Sequence, residues 1–250
     1  MLPIACLADN YAYLVMSPGA RVGVIVDPSE SAPVEAALRG HDVELVAILA
    51  THHHHDHVGG NLGLRAARPG LSVYAHESDQ PLGRVPGQTH GVADGESFTI
   101  AGLTVRALHV PGHTLGALAY VVGDAVFTGD TLFLAGCGRL FEGTPDMMSA
   151  SLARIAALAP STRVYPGHEY TLDNLRFGAH VEPENRAIAA RYATVAEHRA
   201  RALPTVPGHL AEELATNPFL RTREASLLAR YETKDPVVAF TKLRAEKDRF

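Results

Sequence analysis

The chain has 250 residues, 46% of them hydrophobic and 20% charged, with no tryptophan and a net charge of −5 at pH 7. That length accommodates one large domain, or one domain with a smaller appendage, and the composition excludes a disordered or fibrous chain. The acidic balance argues against a large nucleic-acid footprint, and no apolar run reaches the roughly 18 residues that span a bilayer.

The start, Met1-Leu2-Pro3-Ile4-Ala5-Cys6, has no basic leader region. Cys6 and Cys137 are too few and too isolated for a disulfide framework, and they suit a reducing compartment. A cytoplasmic protein without a membrane partner is expected. Charge is uneven: 16 acids and 9 bases up to residue 170, then 11 acids and 13 bases over 171–250. All three lysines, Lys234, Lys242 and Lys247, fall in the last seventeen residues. Such a patch can hold a small anionic ligand or be a solvated helix face.

In chain order, Tyr13–Val15 and Val22–Asp27 flank Ser17-Pro18-Gly19 and read as a hairpin. A short helix is expected with Pro33 in its first turn and Gly40 just past its end. The run Leu45–Ala50 has the length and β-branched content of a buried strand, and Gly60–Ala67 reads as helix up to the break at Pro69-Gly70. Strands are expected at 71–75, 97–100 and 103–110, the last interrupted by Pro111-Gly112-His113-Thr114. Two more, 118–122 and 125–127, flank the two-residue turn Gly123-Asp124. Thr144-Pro145 supplies an N-cap and first-turn proline for a helix through Leu158, and 163–165 is a final short strand. Beyond residue 170 the texture is helical, with Ile188, Tyr192 and Val195 at helical spacing and Asp235-Pro236 opening a last helix.

The chemistry gathers at strand ends. Leu45–Ala50 runs into Thr51-His52-His53-His54-His55-Asp56-His57 and stops at Gly59-Gly60. If the segment is extended, His52, His54 and Asp56 share a face while His53 and His55 point away as supporting residues. His113, Asp130 and His168 likewise follow apolar strands beside small residues, where loops build sites. Imidazole and carboxylate donors without thiolate suit zinc, iron or manganese.

Seven donors exceed one tetrahedral ion and suit two. One division gives His52, His54 and His113 to one ion and Asp56, His57 and His168 to the other, with Asp130 bridging. Two ions about 3.5–4 Å apart hold a shared water whose pKa falls steeply to about 7, which makes it a nucleophile at neutral pH. A thiol of pKa about 8.5 departs as thiolate unaided, whereas an amine needs a proton donor. Tyr170 is the nearest such group, better suited to substrate hydrogen bonding or packing. These residues therefore point to hydrolysis of an activated ester, thioester or phosphoester.

The pattern His52-x-His54-x-Asp56-His57, followed by His113, Asp130 and His168, resembles the metallo-β-lactamase superfamily. Within it, Phe127–Phe133, Gly136–Arg139, Tyr165–Thr171, Asn217–Arg221 and Arg244–Asp248 resemble glyoxalase II, the hydroxyacylglutathione hydrolases. The resemblance implies an α/β protein: an αββα sandwich over residues 1–168 and a helical substrate-binding domain over 169–250. It implies hydrolysis of S-D-lactoylglutathione to D-lactate and glutathione, the second step of methylglyoxal detoxification, on two divalent metal ions, zinc foremost. The resemblance carries the metal ligands onto the seven residues above, with Asp56 and Asp130 as catalytic carboxylates; a monomer is expected. Glutathione contacts fall on Arg139, Tyr170, Arg244 and Lys247.

Three positions depart from that pattern: Arg139 replaces a frequent lysine, Phe141 replaces a tyrosine whose hydroxyl it cannot supply, and Ala117 replaces a frequent non-ligand histidine. The alternative reading is a persulfide dioxygenase of the same fold, with one iron on His52, His113 and Asp130. The tail with Arg244 and Lys247 favours the hydrolase. A zinc β-lactamase would more often carry cysteine at position 130, a nuclease fits poorly with the acidic body, and a non-catalytic metal or glutathione sensor would have lost some ligands.

Overall fold

The computed structural model describes residues 1–250, which divide into two compact units: 1–109 with 116–129, and 110–115 with 130–250. The first unit opens with β1 (Leu2–Cys6), β2 (Asn10–Met16) and β3 (Val22–Val26), paired antiparallel in that order. Ser17 N–H donates to Val22 O at 3.0 Å and closes the expected hairpin. Helix α1 (Ser31–His41) crosses over to β4 (Glu44–Leu49), parallel to β3. It runs past the expected end: Gly40 lies in its last turn, and Asp42 makes the left-handed C-cap at φ 51°.

A short helix α2 (His55–Val58) and α3 (Asn61–Ala67) lead to β5 (Ser72–His76) and then β6 (His90–Val92), both added in parallel. Parallel strands covered by crossovers are buried, so β4 reads as a continuous apolar run. Ile25, Val34, Leu38, Ile48, Leu64 and Val73 form the core between this sheet and α1 and α3. The second sheet face comes from the antiparallel strands β7 (Ser97–Ile100), β8 (Leu103–His109), β9 (Leu118–Val122) and β10 (Ala125–Gly129). Tyr120 on β9 fastens the faces together, its hydroxyl donating to Ala50 O at 3.1 Å, and the Tyr13 ring packs on Phe127 at 5.5 Å.

The second unit holds the hairpin β11 (Leu132–Phe133) with β12 (Gly136–Cys137), then α4 (Pro145–Ala156) and β13 (Arg163–Pro166). Helices α5 (Thr171–Val181) and α6 (Arg186–Ala200) follow, packed through Leu175, Ile188 and Val195. β14 (Gly208–His209) pairs with β13 and precedes α7 (Leu210–Thr216), α8 (Ala225–Arg230) and α9 (Pro236–Lys247). The expected caps are in place: Thr144 Oγ1 accepts from Met147 N–H at 3.3 Å and Asp235 Oδ1 from Val237 N–H at 2.8 Å. No helix is long and apolar enough to cross a membrane.

A buried polar hub fixes this unit. Glu213 accepts from Arg191 Nη2 at 2.5 Å and from Ala135 N–H at 2.7 Å, while Asn217 Nδ2 donates to Phe133 O and Gly136 O. Glu213→Ala leaves the Arg191 guanidinium short of an anion inside the protein. It is expected to cost about 3 kcal/mol, read as a shifted urea midpoint. An unchanged midpoint would show that Glu212, 3.0 Å from Arg191 Nε, suffices alone.

Candidate metal centre

In the first unit the ligand segment leaves β4 extended and then turns. His57 N–H donates to His54 O at 2.9 Å and Gly59 N–H to His55 O at 2.8 Å, so Asp56 and His57 sit on a helical turn rather than on an extended face. The cause is docking of the glycine pair: Gly60 N–H donates to Pro28 O at 2.8 Å, where a Cβ would lie 2.7 Å from that oxygen. Simple alternation therefore does not account for Asp56, although His52 and His54 still converge. His52 Nε2 lies 3.2 Å from His54 Nδ1. Two nitrogens each about 2.0–2.1 Å from a tetrahedral ion are separated by about 3.4 Å, so the pair fits a shared cation.

Two residues not singled out in the sequence orient this segment. Asp27, at the end of β3, accepts from Thr51 N–H at 2.7 Å, Thr51 Oγ1 at 2.6 Å and His57 Nδ1 at 3.0 Å. A carboxylate acceptor there places the ring proton on Nδ1 and leaves the lone pair on Nε2, as a ligand role would require. Ligand atoms of Asp27, His52 and His57 all lie within 4.8 Å of one another. Asn10 on β2 donates from Nδ2 to Asp56 Oδ2 at 3.0 Å and to Asp56 O at 3.1 Å, fixing that carboxylate. His53 points to the buried Asp79, Nδ1 to Oδ1 3.9 Å, while His55 is exposed.

The second unit brings His113, Asp130 and His168 together. His113 Nε2 and His168 Nε2 each stand 3.4 Å from the same oxygen, Asp130 Oδ2, all three side chains buried. One carboxylate oxygen between two imidazole nitrogens is the donor arrangement a bridging carboxylate needs. His113 is oriented from behind, Nδ1 lying 2.8 Å from Arg139 O, and its own carbonyl accepts from Phe141 and Glu142 N–H at 3.3 Å. The backbone at Gly138 passes so close that a Cβ would lie 1.9 Å from Asp130 O. His168 carries the Tyr170 ring stacked on it at 4.7 Å and 6°, with Phe133 edge-on to both.

The residues expected to hold glutathione all lie in this second unit. Arg139 is exposed, with Nε 3.7 Å from Asp248. Arg244 is buried, its Nη1 donating to Cys137 O at 2.9 Å and its guanidinium lying over the Phe219 ring. Lys247 Nζ stands over Phe177 and Phe250 at 5.1 and 5.5 Å, and burial pushes its pKa down. Phe141 is exposed, its ring edge-to-face with His113 at 5.2 Å. Burial raises the Cys137 thiol to about 11, so it is a packed neutral group at neutral pH.

Residues 9–168 match the metallo-beta-lactamase superfamily, and residues 169–250 match the hydroxyacylglutathione hydrolase C-terminus. A hydroxyacylglutathione hydrolase of Synechococcus sp. (strain JA-3-3Ab) is 46% identical over 252 residues, covering 100% of this chain and 99% of that protein. One of Gloeobacter violaceus (strain ATCC 29082 / PCC 7421) is 48% identical over 246 residues, covering 98% and 97%. Among solved structures, TTHA1623 in a di-iron-bound form is 29% identical with a TM-score of 0.65, covering 88% of this chain and 100% of that one. The fold is that of the metallo-beta-lactamases with a helical C-terminal region, and that fold with its His and Asp clusters supports divalent metal binding. The chain is a metal-dependent hydrolase and belongs to the hydroxyacylglutathione hydrolases of the metallo-beta-lactamase superfamily.

Proposed function

We propose that this enzyme hydrolyses S-D-lactoylglutathione to D-lactate and glutathione, the second step of methylglyoxal detoxification, as a cytoplasmic monomer. The observation that carries the reading is the pair of imidazoles sharing one Asp130 oxygen at 3.4 Å, which suits a carboxylate bridging two ions. We assign His52, His54 and His113 to one ion, Asp56, His57 and His168 to the other, and zinc as the metal. When bound, the ions supply Lewis acidity and a water of depressed pKa.

The chain's own residues do the rest. Asp27 and the carbonyl of Arg139 hold His57 and His113 by their Nδ1 atoms, keeping Nε2 available on each. Asp56, fixed by Asn10, and Asp130 supply negative charge beside the imidazoles. The leaving sulfur departs as thiolate, which explains a site without a dedicated acid beside it. Residues 1–168 then form the catalytic domain and 169–250 the substrate-binding one, with Arg139, Tyr170, Arg244 and Lys247 facing the glutathione moiety. The two free cysteines agree with a reducing compartment.

Elemental analysis together with an assay on S-D-lactoylglutathione tests this. Two metal ions per chain and one thiol released per thioester lost are expected. Oxygen uptake with glutathione persulfide and no thioester loss would replace the reading by a dioxygenase. Arg244→Ala combined with Lys247→Ala raises KM more than it lowers kcat if the tail holds glutathione. Because Arg244 also supports Cys137 O, Lys247→Ala alone separates binding from stability; an unchanged KM removes Lys247 from the site.

A further inference from the structure

Asp248 follows directly on α9, and its N–H closes the last turn onto Arg244 O at 3.0 Å. Its carboxylate thus stands at the negative end of the helix dipole, an unfavourable place for an anion. Two cations hold it there. Arg244 Nη2 donates to Asp248 Oδ1 at 3.1 Å, and Arg139 Nε lies 3.7 Å from the same oxygen. The arginines differ in freedom. Arg244 is committed inward through Cys137 O, yet its buried Nε has no hydrogen-bond partner, leaving a donor over. The Arg139 side chain is 68% exposed and can turn towards a ligand.

A carboxylate gripped by guanidinium groups from two separate segments has the contact chemistry that an anionic thioester needs. Resting on the glutathione-thioester reading above, we propose that Asp248 is a built-in stand-in for a substrate carboxylate. The incoming anion displaces it from Arg139 and Arg244. Substrate binding is then an exchange of one carboxylate for another, and Asp248 sets both affinity and charge selectivity. The exposed half of the contact suits exchange, because such ion pairs are weak.

Steady-state kinetics on S-D-lactoylglutathione, with calorimetric titration of glutathione alone, distinguish competition from support. Asp248→Asn is expected to lower KM and the glutathione Kd by about twofold to fivefold, the worth of an exposed ion pair, without changing kcat. The gap narrows at high salt, and Asp248→Glu, which keeps the charge, stays near the wild type. An unchanged or raised KM in Asp248→Asn overturns the proposal; a rise would make Asp248 an organiser of the arginines. Asp248→Ser serves the same comparison where the asparagine variant does not fold. A wild-type enzyme that neither cleaves the thioester nor binds glutathione overturns the functional reading instead, and this inference with it.

Discussion

Asp130→Ala abolishes thioester hydrolysis, lowering kcat more than about 100-fold, and sharply reduces the metal retained after dialysis. The effect is large because one oxygen of this side chain serves two imidazoles at once, 3.4 Å from each. Its removal takes away the negative charge that would hold two cations side by side. The fold is expected to survive. His113 keeps its bond to Arg139 O, and the close approach of Gly138 is to the Asp130 backbone carbonyl, which alanine retains. The metal-free variant therefore melts close to the metal-free wild type. Asp130→Asn keeps the shape without the charge and falls between the two in metal content. Normal turnover by Asp130→Ala would make the bridging role wrong.

The strand ends that carry the candidate ligands were legible because each apolar strand ends in small or turn-forming residues. The run into Thr51, Gly129 before Asp130 and Pro166-Gly167 before His168 are local signals, and β4, β10 and β13 end at Leu49, Gly129 and Pro166, within two residues of the expected ends. Their conformation was less legible. Period-two alternation fits His52 and His54, but the turn of α2 depends on Gly59-Gly60 meeting residues 28–30, a contact between distant parts of the chain. The two-residue strands β11, β12 and β14 are too short to show periodicity, and α5 carries enough polar residues to hide its apolar stripe. The basic tail around Arg244 does not show its burial in sequence; that follows from α9 packing against the Phe219 segment. Asp27 closes an apolar strand just as Asp130 does, so the same rule identifies it once applied to acids as well as histidines. What sequence alone does not show is that parallel pairing of β3 with β4, Val26 opposite Leu49, sets their C-terminal ends side by side. That pairing puts Asp27 against Thr51 and His57.

Asp27→Asn is expected to weaken metal binding at the His57 position by about 10- to 100-fold, measured by competition with a chromogenic chelator and so independently of turnover. Asp27 can only accept, so His57 carries its proton on Nδ1 and presents a lone pair on Nε2. Asparagine keeps one accepting oxygen for Thr51 N–H but can turn an amide N–H towards Nδ1. The ring then takes the other tautomer, with its proton on the nitrogen needed for the metal. The backbone accommodates the change, since residue 27 sits at φ +48° and asparagine tolerates that region as well as aspartate does. Asp27→Ala is the poorer test. It strips the acceptor from three buried donors, Thr51 N–H, Thr51 Oγ1 and His57 Nδ1, at a cost of about 1–3 kcal/mol each. Activity of Asp27→Asn should recover as metal is added, because the seven proposed ligands are intact. Wild-type metal affinity in that variant would show that His57 is oriented by its place on α2 alone, and that Asp27 serves only to tie Thr51 to β3.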